Sequence, residues 1–146
     1  MKELRMGRYA IYRGIEYKAD LASKINGKSV VELRTKQEES VNIGFAKDKF
    51  GDYIKKVTID ELEQAYSITT RGTYKGNTYT LILEEDSRVL IIEDDESRAK
   101  QYGFKFVERG VYEKWIDKNE LESVWEEKKG IWGFEIPENA IDIIRE

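Results

Sequence analysis

The stretch Val57-Thr58-Ile59-Asp60-Glu61-Leu62-Glu63-Gln64-Ala65-Tyr66 returns 59 residues later as Ile116-Asp117-Lys118-Asn119-Glu120-Leu121-Glu122-Ser123-Val124-Trp125. The chain is therefore an internal duplication, and whatever one half folds into, the other must be able to fold into as well. At the same offset Gly44-Phe45 pairs with Gly103-Phe104, Gly51 with Gly110, Tyr53 with Tyr112 and Lys55 with Lys114. Further upstream the offset becomes 62, where Tyr12-Arg13-Gly14, Tyr17 and Leu21 answer Tyr74-Lys75-Gly76, Tyr79 and Leu83. Copy two is thus three residues shorter between these anchors. The loss falls where copy one reads Ser23 to Lys28 and copy two only Glu84 to Ser87, between apolar runs, as a hairpin turn tolerates.

Each copy reads as short strands separated by turns. Asn26-Gly27 suits a tight hairpin needing positive φ, and Val41-Asn42-Ile43-Gly44-Phe45 alternates like a half-buried strand. Thr58 with Glu61, and Asp117 with Glu120, have the spacing of a capping box, which predicts one helical turn in each copy. Leu62 and Leu121 then point into the core. Arg88-Val89-Leu90-Ile91-Ile92 is apolar on both faces and predicts a strand covered on both sides, near the interface between copies. Gly130 to Ile136 sits where a third copy would start and predicts a closing strand. Pro137 suits the first turn of a short helix through Ile144.

Five short strands per copy with one tight turn before the last resemble the small SH3-like barrels. The likeness implies an all-β fold of two tandem five-stranded barrels: residues 1–68, residues 69–129, and a carboxy-terminal strand and short helix at 130–146 packing on the repeats. A domain of about 60 residues hides only ~60% of its unfolded surface, so each copy gains from its neighbour.

Composition narrows the chemistry. With no Cys and no His, the chain lacks thiol nucleophiles, thiolate metal sites, disulfides and the usual neutral-pH base. No Gly-x-Ser-x-Gly elbow, Ser-x-x-Lys pair or Gly-rich phosphate loop appears, so no enzyme activity and no cofactor are expected. No apolar segment matches a signal peptide or a membrane span, which predicts a cytoplasmic protein, as a monomer or weak dimer.

Charge is uneven. Residues 1–66 carry 13 Lys/Arg against 11 Asp/Glu, whereas residues 67–146 carry 12 against 18. The second half repels phosphate backbones and attracts basic proteins. Its acidic turns, Glu84-Glu85-Asp86 and Glu93-Asp94-Asp95-Glu96, are the candidate partner-binding residues; they do not follow an EF-hand pattern, and no metal is assigned to them. Trp115, which stands where copy one has Lys56, is the candidate apolar anchor. Lys47, Lys49, Lys55 and Lys56 with Tyr53 and Phe50 form the one basic and aromatic cluster, and carry the alternative of a nucleic-acid or ribosome-associated adaptor. Asp48 and Asp52 dilute it, so nucleic acid is the less favoured partner. A structural or assembly protein is the third possibility.

Small, acidic, Cys-free character together with the tandem Tyr-x-Gly … Glu-Leu-Glu copies resembles the immunity proteins that bacteria pair with polymorphic toxins. The resemblance implies a protein-binding role in which an acidic surface blocks a basic toxin domain of nuclease type. It transfers no inhibitory residue onto this chain.

Overall fold

The computed structural model describes residues 4–136 and the backbone of 141–145. The described chain is all-β, with twelve strands: β1 (Gly7–Tyr12), β2 (Ile15–Ile25), β3 (Lys28–Thr35), β4 (Ala46–Lys47), β5 (Tyr53–Thr58), β6 (Gln64–Tyr74), β7 (Asn77–Glu85), β8 (Arg88–Glu93), β9 (Lys105–Glu108), β10 (Val111–Asp117), β11 (Ser123–Gly130) and β12 (Ile141–Arg145). One short helix, α1 (Glu96–Gln101), follows β8. No helix among the described residues is long and apolar enough to cross a membrane.

Two compact units divide the chain between Ser67 and Ile68. The first unit holds Gly7–Ser67 with residues 129–136. Its core gathers Tyr12, Tyr17, Val31, Leu33, Phe45, Val57 and Leu62. The second holds Ile68–Lys128 with residues 4–6 and β12, around Tyr74, Tyr79, Val89, Ile91, Phe104, Ile116 and Leu121. The two cores use matching positions. Even the ring pairs recur, with Tyr17 and Phe45 centroids 4.9 Å apart and Tyr79 and Phe104 at 5.2 Å.

The β1–β2, β2–β3 and β7–β8 ladders are antiparallel, as two-residue turns dictate. Arg13-Gly14 and Lys75-Gly76 both place two successive residues at positive φ, the conformation whose twist matches the flanking strands. The strands follow the order β4-β5-β3-β2-β1-β6-β7-β8-β10-β9, with β11 pairing β6 and β12. This ladder is open, ending at β4 and β9 among the described residues, so the closure of two SH3-like barrels expected from the repeat is not seen. β6 (Gln64–Tyr74) is one uninterrupted strand that crosses the boundary at Ser67 and Ile68, ending the first copy and opening the second.

Other local readings change too. Val41–Phe45 is no strand; Glu38–Ile43 forms a 3-10 helix ended by Gly44 at φ +95, and Val41 is exposed. Its counterpart in copy two is α1, where a plain turn was expected. Asp95 caps it by accepting the Arg98 backbone N–H at 2.9 Å. Chain after Gly130 turns at Trp132-Gly133 instead of adding a strand, and Ile141–Arg145 is a strand on β11 where a helix was expected. Residues 137–140, including Pro137 at the expected helix start, lie outside the described residues.

The length difference between copies resolves into two events. Ala19 faces Leu33 in copy one as Leu81 faces Ile91 in copy two, and Ser23 faces Val30 as Glu85 faces Arg88. Beyond the latter pairs copy one has residues 24–29 and copy two only 86–87, so four residues are missing at the hairpin tip. One is regained before Gly103, giving the net loss of three.

Candidate functional site

The repeated Glu-Leu-Glu is structural, residue by residue. Glu61 and Glu120 complete capping boxes, accepting the backbone N–H of Thr58 at 2.7 Å and of Asp117 at 2.8 Å. Leu62 and Leu121 are buried in their respective cores. Glu63 accepts the N–H of Gly14 at 2.6 Å, and Glu122 that of Gly76 at 3.1 Å, fastening the first hairpin turn of each copy. Positions that agree between copies are thus explained by the fold. What distinguishes the copies is where function is to be sought, since each half shows what the other's scaffold does not require.

Facing residues of an antiparallel ladder share a side, and sides alternate along each strand. In copy two, Leu81, Ile91, Val89 and Ile116 face the core. A bulge between Leu81 and Leu83 then turns Leu83 outward, opposite Leu90, which is itself opposite Trp115. Leu83, Leu90 and Trp115 form a row across β7, β8 and β10 on the outer face. The matching row of copy one is Asp20, Glu32 and Lys56. Three charged residues have become three apolar ones, so the fold does not demand the apolar row. Leu83 is 55% exposed, Trp115 is half-buried, and Leu90 is covered. In the next row Glu85 faces Arg88 and Arg88 faces Asp117, while the Arg88 guanidinium carbon lies 4.9 Å from the Trp115 ring centroid. The result is an apolar strip edged by Glu85, Asp86 and Asp117.

The acidic candidates do not form one surface. Glu84-Glu85-Asp86 and Glu93-Asp94-Asp95-Glu96 lie at opposite ends of β8, whose residues Arg88–Glu93 span ~20 Å. Glu84 is held by the Lys118 ammonium at 2.8 Å, and it accepts the Leu4 N–H at 3.1 Å; the Lys118 ammonium is the main cause that keeps its carboxyl below the usual range. Glu93 is buried, accepting the N–H groups of Asp94 at 3.1 Å and Asp95 at 2.9 Å, with Arg98 3.4 Å away. Asp95 caps α1, and Glu96 pairs with Lys100. Glu85, Asp86 and Asp94 remain on the surface, and Glu85 faces Arg88, the residue that lies over Trp115. Among the described residues, no group of three or more Asp/Glu converges as metal ligands do.

The basic cluster of copy one is rearranged as well. Asp48 and Asp52 turn onto Arg34, at 2.8 and 2.9 Å, with Glu32 on its other nitrogen at 2.7 Å. Hydrogen bonding from Arg34 holds Asp48, and from Lys36 and then Arg34 holds Asp52, below the usual carboxylate range. Phe50 is left 74% exposed at the loop tip.

Residues 4–133 match the family described as Uncharacterised conserved protein UCP033725. The chain belongs to that family. No curated protein and no solved structure matches it. The family match takes in both copies and the turn at Trp132. Leu83, Leu90 and Arg88 were missed in the sequence because the offset between copies differs on each strand. By ladder position Leu83 matches Asp20, not Leu21 as the sequence offset implies, since the bulge precedes Leu83 in copy two but follows Leu21 in copy one. Glu32 matches Leu90, and Lys56 matches Trp115.

Proposed function

We propose that this chain is a non-catalytic protein-binding module that docks a basic protein on the outer face of β7, β8 and β10. The observation that carries the reading is the change of a charged row, Asp20-Glu32-Lys56, into an apolar row, Leu83-Leu90-Trp115, on an otherwise repeated scaffold. A partly exposed Trp beside an exposed Leu, bordered on one side by Glu85, Arg88 and Asp117, has the make-up of an interface anchor with a polar rim. Glu85, Asp86 and Asp117 favour a cationic partner and speed its encounter at low salt. In its specific form the partner is a toxin domain with a basic nucleic-acid cleft, and the chain is its immunity protein, built on two SH3-like copies.

The test is to identify whether a secreted protein with a toxic carboxy-terminal domain is encoded beside this chain and to use that domain, catalytically inactivated, in pull-down and co-expression. Wild type is expected to bind, with an association rate that falls as salt rises, and to protect cells from the active toxin. Leu83→Asp with Trp115→Lys installs residues that copy one already carries at the matching positions. Together they are expected to weaken binding by ~30-fold or more while leaving the circular dichroism spectrum unchanged. A wild-type chain that neither binds nor protects removes the immunity reading. Equal affinity of the double variant removes this face.

A further inference from the structure

A second copy-specific feature lies in the first unit. An open groove of about 520 Å³ lies between the β2–β3 hairpin tip, the 3-10 turn at Ile59–Glu61 and the turn at Trp132-Gly133. Its apolar walls are Ile59, Leu62, Trp132 and Phe134, and Lys28, Ser29 and the Asp60 carboxylate supply polar groups. The volume suits a small-molecule site, as does an apolar lining with few polar groups.

Two of the three walls are absent from copy two. Lys28 and Ser29 belong to the stretch of hairpin tip that copy two lacks, and Trp132 and Phe134 belong to a segment added after the repeats. Ile59, Asp60 and Leu62 are repeat scaffold, matched by Lys118, Asn119 and Leu121. At the second core the partly buried residues packed alongside are Leu4, Tyr102 and Tyr112, and Leu4 is fixed by its N–H to Glu84 and by its neighbour Arg5 to Glu126. The first unit instead carries Trp132 at φ +56, a conformation uncommon for a bulky side chain and held where the surroundings over-determine it. Gly130 makes the tight turn possible, since a Cβ there would lie 2.0 Å from the Phe134 carbonyl oxygen.

We infer that this groove binds a small amphipathic molecule with a flat aromatic body and an anionic head. The body stacks in the space walled by Trp132, Phe134 and Leu62, and the head meets Lys28. The Lys28 ammonium has three donors and gives one to Asp60 at 3.1 Å. Both partners of that pair are well exposed, at 64% and 61%, where such pairs hold weakly and exchange readily. The site is separate from the docking face on β7, β8 and β10.

Two dyes test it on the intact chain, well below its unfolding transition: anilinonaphthalene sulfonate, which has the anionic head, and uncharged N-phenylnaphthylamine. Both are expected to bind the native protein saturably with one equivalent. Lys28→Met is expected to weaken the sulfonate about tenfold and leave the uncharged dye unchanged, as loss of one charge-assisted hydrogen bond requires. Trp132→Ala and the space-filling Ser29→Tyr are expected to weaken both dyes at least about tenfold, whereas Trp115→Lys changes neither. No saturable binding of either dye, or wild-type binding in both Trp132→Ala and Ser29→Tyr, overturns the site. Equal losses of both dyes in Lys28→Met overturn the anionic head.

Discussion

Removing the Arg5 guanidinium is predicted to destabilise the second unit. Arg5 reaches Glu126 through two parallel bonds, Nε to Oε2 at 3.0 Å and Nη2 to Oε1 at 3.1 Å. The Glu126 side chain is fully buried, while that of Arg5 is 23% exposed. The Thr70 hydroxyl donates to the Arg5 carbonyl at 2.8 Å and holds the segment in place. In Arg5→Met the carboxylate stays buried and loses both bonds; removing one member of a buried pair costs about 3–5 kcal/mol, and the partial exposure here argues for ~3. For a chain of this size that is a fall of roughly 6–12 °C in Tm. Replacing both members, Arg5→Met with Glu126→Leu, removes the charge along with its partner and is expected to recover most of the loss. Urea unfolding followed by circular dichroism, run as a double-mutant cycle, should return a coupling of at least about 2 kcal/mol. A coupling under ~0.5 kcal/mol, with Arg5→Met and the double variant equally unstable, refutes the reasoning.

Gly130→Ala drives a Cβ into the Phe134 carbonyl oxygen, a backbone atom that cannot swing aside. It is expected to cost about 1–3 kcal/mol, shift Trp132 emission to the red and weaken dye binding; an unchanged spectrum and Tm contradict the close approach. The Lys118–Glu84 pair gives a pH signature. Because the folded Glu84 carboxyl lies below its ordinary value, its contribution is complete above about pH 4.5 and disappears as pH falls through the folded value. Lys118→Met is therefore expected to lose stability at neutral pH but little in acid, making Tm less pH-dependent; parallel wild-type and variant curves contradict it.

Much of the scaffold was legible because its instructions are local. Thr58 with Glu61 and Asp117 with Glu120 formed the capping boxes their spacing implied, and the length difference fell at a hairpin tip. What failed depends on partners distant in the chain. Nothing in the alternation around Tyr66 to Tyr74 tells one shared strand from two. Val41 and Ile43 alternate equally well in a short 3-10 helix. Glu93 reads like any acidic turn residue until α1 folds back and Asp94, Asp95 and Arg98 enclose it. Arg5 and Glu126 sit 121 positions apart, and no local pattern joins them. Trp115 stood out because its counterpart is Lys56, but the rest of its row emerged only once the bulge at Leu83 had set which residues look outward.

The bonds from Glu63 to Gly14 and from Glu122 to Gly76 close loops of 49 and 46 residues. They turn an apparently trivial tripeptide into a fingerprint: a Tyr-x-Gly bend whose amide is claimed, some four dozen positions downstream, by the final acid of Glu-Leu-Glu. A shorter polypeptide bearing one such set would be an ancestral half, and a longer one with three would be a further extension by the same shared-strand splice. Genomes can be searched for that spacing directly, with no need for overall similarity.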